Sequence, residues 1–189
     1  EIIRGAASLQ YGTQFGGLIN FITKTPPHNK KIELVTRNTI GSNDLKTNFT
    51  SIGGSNNGFS YYGFFNYKEG SGFRPNSGFK SSNIYTKIEK DIIPSLSMSF
   101  ELTYLNYLAQ QAGGLTDKMF NENPYQSNRT RNWFSVNWFL YNLQIKHDIS
   151  INTTQKINLF GLQANRNALG FRSNRVDQID QSTERDLIN

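Results

Sequence analysis

Arginine side chains gather around the two longest polar segments in the second half of the chain. The guanidinium group is planar, stays charged at physiological pH and presents paired N–H donors that match a carboxylate. This group of residues predicts a site for an anionic, carboxylate-rich ligand, with ion pairs within the loops as the alternative for any one of them. The candidates are Arg129, Arg131, Arg166, Arg172 and Arg175, with Gln126 as a weaker polar candidate.

No arrangement of residues in the sequence indicates catalysis or a bound metal. The chain has no cysteine, and its two histidines, His28 and His147, lack the close spacing of a metal-binding pair. Glu89 and Asp91 alternate with lysines along one predicted strand, where a polar wall explains them better than a general acid and base do. No serine lies in a Gly-x-Ser-x-Gly turn. We therefore expect no enzyme and no resident cofactor.

The elements that must position the arginines are predicted to be β-strands, because apolar and polar residues alternate with a period of two. The clearest example is residues 95–107, in which Leu96, Met98, Phe100, Leu102 and Tyr104 alternate with Ser97, Ser99, Glu101 and Thr103. Six further strands are predicted at about 31–41, 45–54, 59–68, 82–91, 133–147 and 155–167. Strands of about 9 to 15 residues suit a tilted crossing of a bilayer, and a β-sandwich with long strands is the alternative.

The composition is that of neither an ordinary soluble domain nor a helical membrane protein. The 189 residues are 13% aromatic and only 18% charged, yet the mean hydropathy is −0.56. The sequence has no run of about 18 apolar residues, which excludes a membrane-spanning helix. The net charge of +6 also raises the alternative of a nucleic-acid-binding β domain, but the basic residues are spread along the chain and no aromatic RNA-binding signature is present.

The connections between the predicted strands alternate in length. Those after the second, fourth and sixth strands take a few residues, at about 55–58, 93–95 and 150–154, and those after the third, fifth and seventh strands are long. Every second connection of an antiparallel meander lies at the same end, so the long loops share one end with the arginines. Outer-membrane barrels have this asymmetry, with their long loops outside the cell. A short connection near 42–44 on the long-loop side weakens the pattern.

Two local features of the predicted strands carry expectations of their own. The apolar phase of residues 133–147 changes near Trp138 and Phe139, which predicts a β-bulge there. Tyr67 and Tyr107 lie next to long loops, and we expect both to belong to an aromatic girdle at a membrane interface.

The first 24 residues differ from the rest and carry a long ordered motif. Its members are Arg4, Gly5, Ser8, Tyr11, Gly12, Gly16, Gly17, Ile19, Asn20, Thr23 and Lys24. Glycines permit close backbone approach, so a short strand of this segment could pack tightly against a wall of β-strands. The motif resembles the last part of the plug domain of TonB-dependent outer-membrane receptors. Ala6 stands where that family often has proline, which is a mild departure.

The resemblance implies how the chain is organised. Residues 1–24 would end the plug, residues 25–31 with their Pro-Pro pair would form a linker, and residues 32–189 would supply the first barrel strands with their extracellular loops. The fold class is then all-β: a fragment of a transmembrane antiparallel barrel, about seven of roughly 22 strands, enclosing the end of a plug.

The resemblance also implies a function, which is active uptake of a ferric chelate across the outer membrane of a Gram-negative bacterium. The implied partners are the chelate, outer-membrane lipid, lipopolysaccharide and a TonB-type coupling protein that acts through an N-terminal region, with no nucleic acid among them. Iron would be cargo within the chelate and not a cofactor. A passive porin or adhesin-type barrel is the alternative, although it has no use for a plug segment. Contact with lipopolysaccharide is then a further alternative role for the arginines.

A narrower resemblance lies in the long loop and in the last predicted strand. Residues 113–117 and 126–134 are similar to the ferric-dicitrate branch of the receptor family, as are residues 165–171. This resemblance implies that Arg129, Arg131, Arg166, Arg172 and Gln126 lie near the outer mouth, where they can engage an anionic chelate.

Overall fold

A computed structural model describes residues 2–4, 16–171 and 187–188 of the chain. Two short strands, β1 (Ile2–Arg4) and β2 (Gly17–Ile19), form an antiparallel pair. The described residues then contain seven long strands: β3 (Glu33–Ile40), β4 (Lys46–Asn56), β5 (Phe59–Gly70), β6 (Phe79–Ile93), β7 (Leu96–Gln110), β8 (Trp133–Ser150) and β9 (Thr153–Phe171). A short helix, α1 (Asp117–Glu122), lies between β7 and β8, and β10 (Leu187–Ile188) pairs with β9.

Each long strand pairs antiparallel with the next strand along the chain, so β3 to β9 form one up-and-down sheet. The strands lengthen from 8 residues in β3 to 19 residues in β9. At about 3.3 Å per residue β9 is roughly 60 Å long, far longer than a strand of an ordinary globular domain. The all-β prediction, the seven strands and their order are confirmed.

The connections differ between the two ends of the sheet, as the sequence indicated. The turns after β4, β6 and β8 take two residues each, and Asn57 and Gly58 make the first of them with φ values of 50° and 70°. Positive φ at both positions is the geometry of the tight hairpin turn that Asn-Gly favours. The connections after β5 and β7 are the long ones, residues 71–78 and 111–132, and they meet at the opposite end. We call the two ends the turn end and the loop end.

One face of the sheet, which we call the inner face, is covered by the segment that leads from β2 into β3. Tyr62 and Tyr85 mark this face, and they are only 6% and 5% exposed. Lys24 Nζ lies 5.0 Å from the centroid of the Tyr62 ring, and His28 Nδ1 lies 3.5 Å from Ser60 Oγ. The segment therefore rests on the inner face through polar and cation–π contacts.

A glycine makes this close approach possible. A Cβ atom at Gly53 would lie 3.0 Å from the Pro27 ring and 3.0 Å from the Tyr62 ring, tighter than nearly all real contacts. The backbone of β4 can approach Pro27 because residue 53 has no side chain. Pro26, next to it, is fully buried. The wall and the covering segment are thus matched in shape at this point.

The opposite face, which we call the outer face, carries an apolar band. Cross-strand pairing places Ile84, Ile88, Phe100, Leu102, Tyr141, Leu143, Ile157 and Leu159 side by side on it. On β7 the band runs from Leu96 to Tyr104, about 27 Å along the strand. Ser97, Ser99, Glu101 and Thr103 are on the inner face, so the predicted separation of the two sets is confirmed.

The bulge predicted near Trp138 and Phe139 is absent, and β8 keeps continuous register with both neighbours across these residues. In the described sheet the register shifts lie elsewhere, at Asp91–Ile93 and Asp148–Ser150. The apolar phase changes because the strand has its apolar side chains on the inner face near the loop end and on the outer face further down. Val136, on the inner face, is 8% exposed. The environment changes along β8 while the backbone stays regular.

The girdle prediction is wrong for Tyr107, because this residue pairs with Ser81 and Val136 on the inner face. Its ring contacts that of Phe134, with centroids 6.4 Å apart. Tyr67 does lie on the outer face, where its hydroxyl donates to Glu69 Oε2 at 2.8 Å.

In the part of the chain that the structure describes, no helix is long and apolar enough to span a membrane.

Candidate ligand-binding site at the loop end

The long loop between β7 and β8 is folded around helix α1. Thr116 caps the helix, since its side chain accepts a hydrogen bond from Met119 N at 3.2 Å, and Met119 is buried beneath it. Gln126 donates from Nε2 to Met119 O at 2.5 Å. The structure therefore uses the Gln126 side chain, a predicted ligand contact, to hold the C-terminal end of the helix.

Two polar residues are buried in the interior of this loop. Asn128 is fully buried and donates from Nδ2 to Gly114 O at 2.6 Å. Arg129 is only 6% exposed and donates from Nη1 to Asn128 O at 2.7 Å. Arg129 thus donates to a backbone carbonyl inside the loop, a role that its sequence neighbourhood did not reveal.

Arg74 joins the two long loops to each other. Its guanidinium donates to Gly113 O and, at 3.3 Å, to Gln126 O, both in the loop that carries α1. Asn76 adds a hydrogen bond from Nδ2 to Ser127 Oγ at 3.3 Å. A planar fork that bonds two carbonyls fixes orientation as well as distance. Arg74 therefore holds the two long loops together at the loop end. The sequence did not identify Arg74 as a residue with this role.

Replacing Arg74 with alanine is expected to release the loop of residues 111–132. Hydrogen bonds from a charged donor contribute about 1.5–3 kcal/mol, so local opening becomes more than tenfold more frequent. Limited digestion of the complete protein with subtilisin should show faster cleavage within residues 111–132. Lys118→Ala is the matched control, because Lys118 is a cation of the same loop whose side chain is 86% exposed. Equal cleavage of both variants and the parent would contradict the role of Arg74.

Arg166 has a different environment from that of Arg129. Its pairing with Val136 places it on the inner face, and its guanidinium lies 4.8 Å from the centroid of the Phe134 ring. The side chain is exposed, so its donors remain available to a ligand at the loop end. Arg166 combines the position and the exposure that an anion-binding residue needs.

The structure brings two further cations to the same part of the inner face. Lys68 is in the same cross-strand row as Arg166, four strands away, and Arg37 is in the next row. The three inner rows nearest the loop end contain these three cations and no acidic residue within the described strands. The alternation of residues along β3 and β5 was the signal from which the inner-face position of Arg37 and Lys68 could have been predicted.

Acidic side chains of the inner face are concentrated at the turn end instead. They are Glu33, Glu89, Asp91, Glu101 and Asp148. Lys87 lies among them, 3.2 Å from Glu89 Oε1 and 3.1 Å from Glu101 Oε1, with its side chain only 12% exposed. The inner face is therefore divided by charge, with a basic loop end and a mixed, mainly acidic turn end.

The other predicted site residues are less informative. Arg131 is half-buried two residues before β8, and Asn20 lies just after β2. Gly16 and Gly17 have φ values of 98° and 125°, which favour glycine, and Arg4 ends β1. Arg172, Arg175, Gly5, Tyr11 and Gly12 lie outside the described residues. Within the described residues no group of three or more histidines and carboxylates could hold a metal ion.

The sheet, its alternating connections and the segment on its inner face define a piece of an antiparallel barrel wall. A solved structure with this fold is the crystal structure of the ferric citrate transporter FecA in its unliganded form, to which the chain is similar with a TM-score of 0.77 and 22% sequence identity. The alignment covers 91% of this chain and 27% of that one, so the chain spans about a quarter of the length of FecA. The sequence matches no protein-family profile and no curated protein.

Proposed function

We propose that the chain is part of a TonB-dependent outer-membrane receptor that takes up an anionic ferric chelate of the ferric citrate type. The observation that carries the proposal is the basic loop end of the inner face, formed by Arg37, Lys68 and Arg166. Cations that line a concave wall raise the local concentration of an anion and steer its entry. The likeness of the fold to that of a ferric citrate transporter supports the same function.

The plug assignment forms the second part of the proposal. Residues 1–24 end the plug, residues 25–31 link it to the barrel, and residues 32–189 form barrel wall. The contacts of Lys24 with Tyr62 and of His28 with Ser60 support a segment that lies inside the barrel. Pro27 adds an apolar contact with β4 at Gly53, so the segment is held on the inner face by both polar and apolar contacts. A TonB-type partner would act on the plug, and iron would enter as cargo within the chelate.

Among the predicted ligand residues, Arg166 is the strongest candidate because it is both inward-facing and exposed. Arg131 and Arg172 remain predicted contacts of the chelate. Gln126 and Arg129 are bonded within the loop, and a direct contact with ligand would require the loop to rearrange. The proposal assigns the chain no catalytic step and no nucleic acid partner.

Arg166→Ala and Lys68→Ala are each expected to weaken binding of ferric citrate to the complete receptor about tenfold or more. A charge-assisted contact to a carboxylate contributes about 1.5–3 kcal/mol, and tenfold corresponds to about 1.4 kcal/mol. Arg166→Lys should recover part of the loss, since lysine keeps the charge and loses the planar fork. Titration calorimetry on the purified receptor in detergent measures these changes.

Lys90→Ala is the control for this experiment, because Lys90 lies on the outer face at the turn end. An uncharged ferric chelate of similar size provides a second control, and equal loss of its binding would show general damage to the mouth. Unchanged citrate binding in both variants would contradict the proposal. Uptake that persists in de-energised cells would favour a passive pore.

A further inference from the structure

The exposed side chain of Arg166 rests against an aromatic ring. Its guanidinium carbon Cζ lies 4.8 Å from the centroid of the Phe134 ring, within the range of a cation–π contact. With the other described residues Arg166 makes no hydrogen bond and no ion pair. The three inner rows nearest the loop end contain no acidic residue within the described strands. The ring therefore holds the cation without using its N–H donors.

The register of three strands produces this contact. Val136 of β8 pairs with Tyr107 of β7 and with Arg166 of β9. Phe134 lies two residues before Val136, so it is on the same face of β8. Tyr107 and Arg166 are therefore diagonal neighbours of Phe134, at a separation that aromatic and long side chains can span. The position of the ring beside the guanidinium depends on strand pairing and not on the conformation of a loop.

The surroundings of Phe134 restrict its ring. Its direct cross-strand partners are Ala109 and Ala168, whose short side chains leave space for Arg166 beside the ring. The Tyr107 ring meets the Phe134 ring at an interplanar angle of 64°, the edge-to-face geometry that aromatic pairs favour. Phe134 is half-buried and Ala109 is buried. The ring is thus supported by its neighbours and can support the arginine in turn.

Arg37, on β3, has the same kind of environment as Arg166. Its Cζ lies 5.8 Å from the centroid of the Phe49 ring, and the centroids of the Phe49 and Phe64 rings are 5.4 Å apart. Both arginines are exposed, and each lies over a phenylalanine that contacts a second aromatic ring. The same arrangement at two separate places of the basic loop end indicates a role for the ring beyond filling space.

We propose that Phe134 is a positioning residue, which orients the guanidinium of Arg166 toward the carboxylates of an anionic chelate, with Tyr107 holding the ring. The inference rests on the proposed function, which makes Arg166 a contact of the chelate. An exposed arginine has many rotamers, and a ligand that fixes one of them loses affinity to the ordering of the side chain. A guanidinium already held against a ring loses less entropy, so its planar fork meets a carboxylate at a lower cost.

A double-mutant cycle tests this proposal, with ferric citrate binding to the complete receptor in detergent measured by titration calorimetry. Phe134→Leu should weaken binding about three- to tenfold, because leucine is apolar and has no ring face. Phe134→Tyr keeps the ring and should bind as the parent does. In the Arg166→Ala background, Phe134→Leu should add less than about a twofold loss, since a positioning residue acts only through the arginine. Tyr107→Leu is an independent second variant and should weaken binding about two- to threefold by the same route.

Salt dependence and a matched control separate positioning from general damage. Phe134→Leu should keep the salt dependence of the parent, because the arginine charge stays in place, whereas Arg166→Ala should reduce it. Phe139→Leu is the control, since Phe139 lies on the outer face of the same strand, where its ring contacts Tyr141 with centroids 6.2 Å apart. This variant should bind ferric citrate as the parent does.

Two results would overturn the inference. Unchanged binding in Phe134→Leu would show that Arg166 needs no support from the ring. A loss that persists undiminished in the Arg166→Ala background would show that the ring acts independently of the arginine. Either result, with binding still weakened by Arg166→Ala, contradicts this inference alone. Unchanged binding in Arg166→Ala itself contradicts the proposed role of the arginine in chelate binding.

Discussion

Phe100→Arg is expected to destabilise the folded barrel in a bilayer by about 2–4 kcal/mol, the cost of placing arginine near the midplane on the lipid side of a barrel. Phe100 lies at the centre of the apolar band on β7, which runs from Leu96 to Tyr104. In the proposed orientation its side chain contacts lipid, where a guanidinium has no water and no counter-charge. Reversible urea unfolding of the complete barrel in lipid vesicles measures the loss.

Ser99→Arg is the matched control for this prediction. Ser99 is the preceding residue of the same strand and lies on the inner face, opposite Glu89. It also lines a cleft of about 500 Å³ with Glu89 and Gln144, so an arginine there has space and a carboxylate partner. We expect a loss below about 1 kcal/mol, as for surface substitutions. A larger loss for Ser99→Arg than for Phe100→Arg would reverse the assignment of the two faces.

Lys87→Met is expected to lower the free energy of unfolding by about 3 kcal/mol. Lys87 is 12% exposed and bonds both Glu89 and Glu101, and cross-strand pairing places it next to Tyr62. Removal of the cation leaves two partly buried carboxylates, 29% and 25% exposed, close together without a counter-charge. Breaking a fully buried ion pair costs about 3–5 kcal/mol, so the lower end of that range applies here. Methionine conserves the length of the aliphatic chain, so the loss reports charge and not packing.

A rescue experiment distinguishes the ion-pair network from a packing effect. Lys87→Met combined with Glu89→Gln and Glu101→Gln removes all three charges, and most of the stability should return because neutral amides tolerate the same site. Lys90→Met, on the outer face of the same strand, removes only an exposed hydrogen bond from Nζ to Asn57 O and should change stability by about 1 kcal/mol at most. No recovery in the triple variant would show that Lys87 acts through its aliphatic contacts.

The local sequence was sufficient to predict where the strands lie and which of their connections are short or long. Residues 96–104 alternate strictly, and a strand places such residues on opposite faces whatever its neighbours are. Asn57-Gly58 specifies a tight turn because both residues tolerate positive φ. The order of short and long connections then determines which loops share an end. These features depend on a few adjacent residues, and the structure confirmed them.

Strand β8 shows where a local pattern was misleading. The sequence of residues 133–147 contains a change of apolar phase, which predicted a bulge, yet the strand is regular. Its loop-end part buries Val136 on the inner face, whereas its lower part joins the apolar band on the outer face. A single strand can cross two environments, and periodicity alone does not identify which side is buried. Tyr107 was assigned to the girdle because it lies next to a long loop, although its parity in β7 is that of the inner-face residues.

The functional site was the part that tertiary structure decided. Arg129 and Arg166 look equivalent in the sequence, but one is buried among the carbonyls of its loop and the other is exposed on the inner face. Lys68 joins Arg166 in one row although 97 residues separate them, since the register of four strand pairs determines their level. The charged residues of the inner face come from six of the seven long strands, so no single strand reveals how the charges are divided between the two ends. The sequence determines which strands form, and their register determines which charges meet, because cross-strand neighbours are set by hydrogen bonding between distant segments.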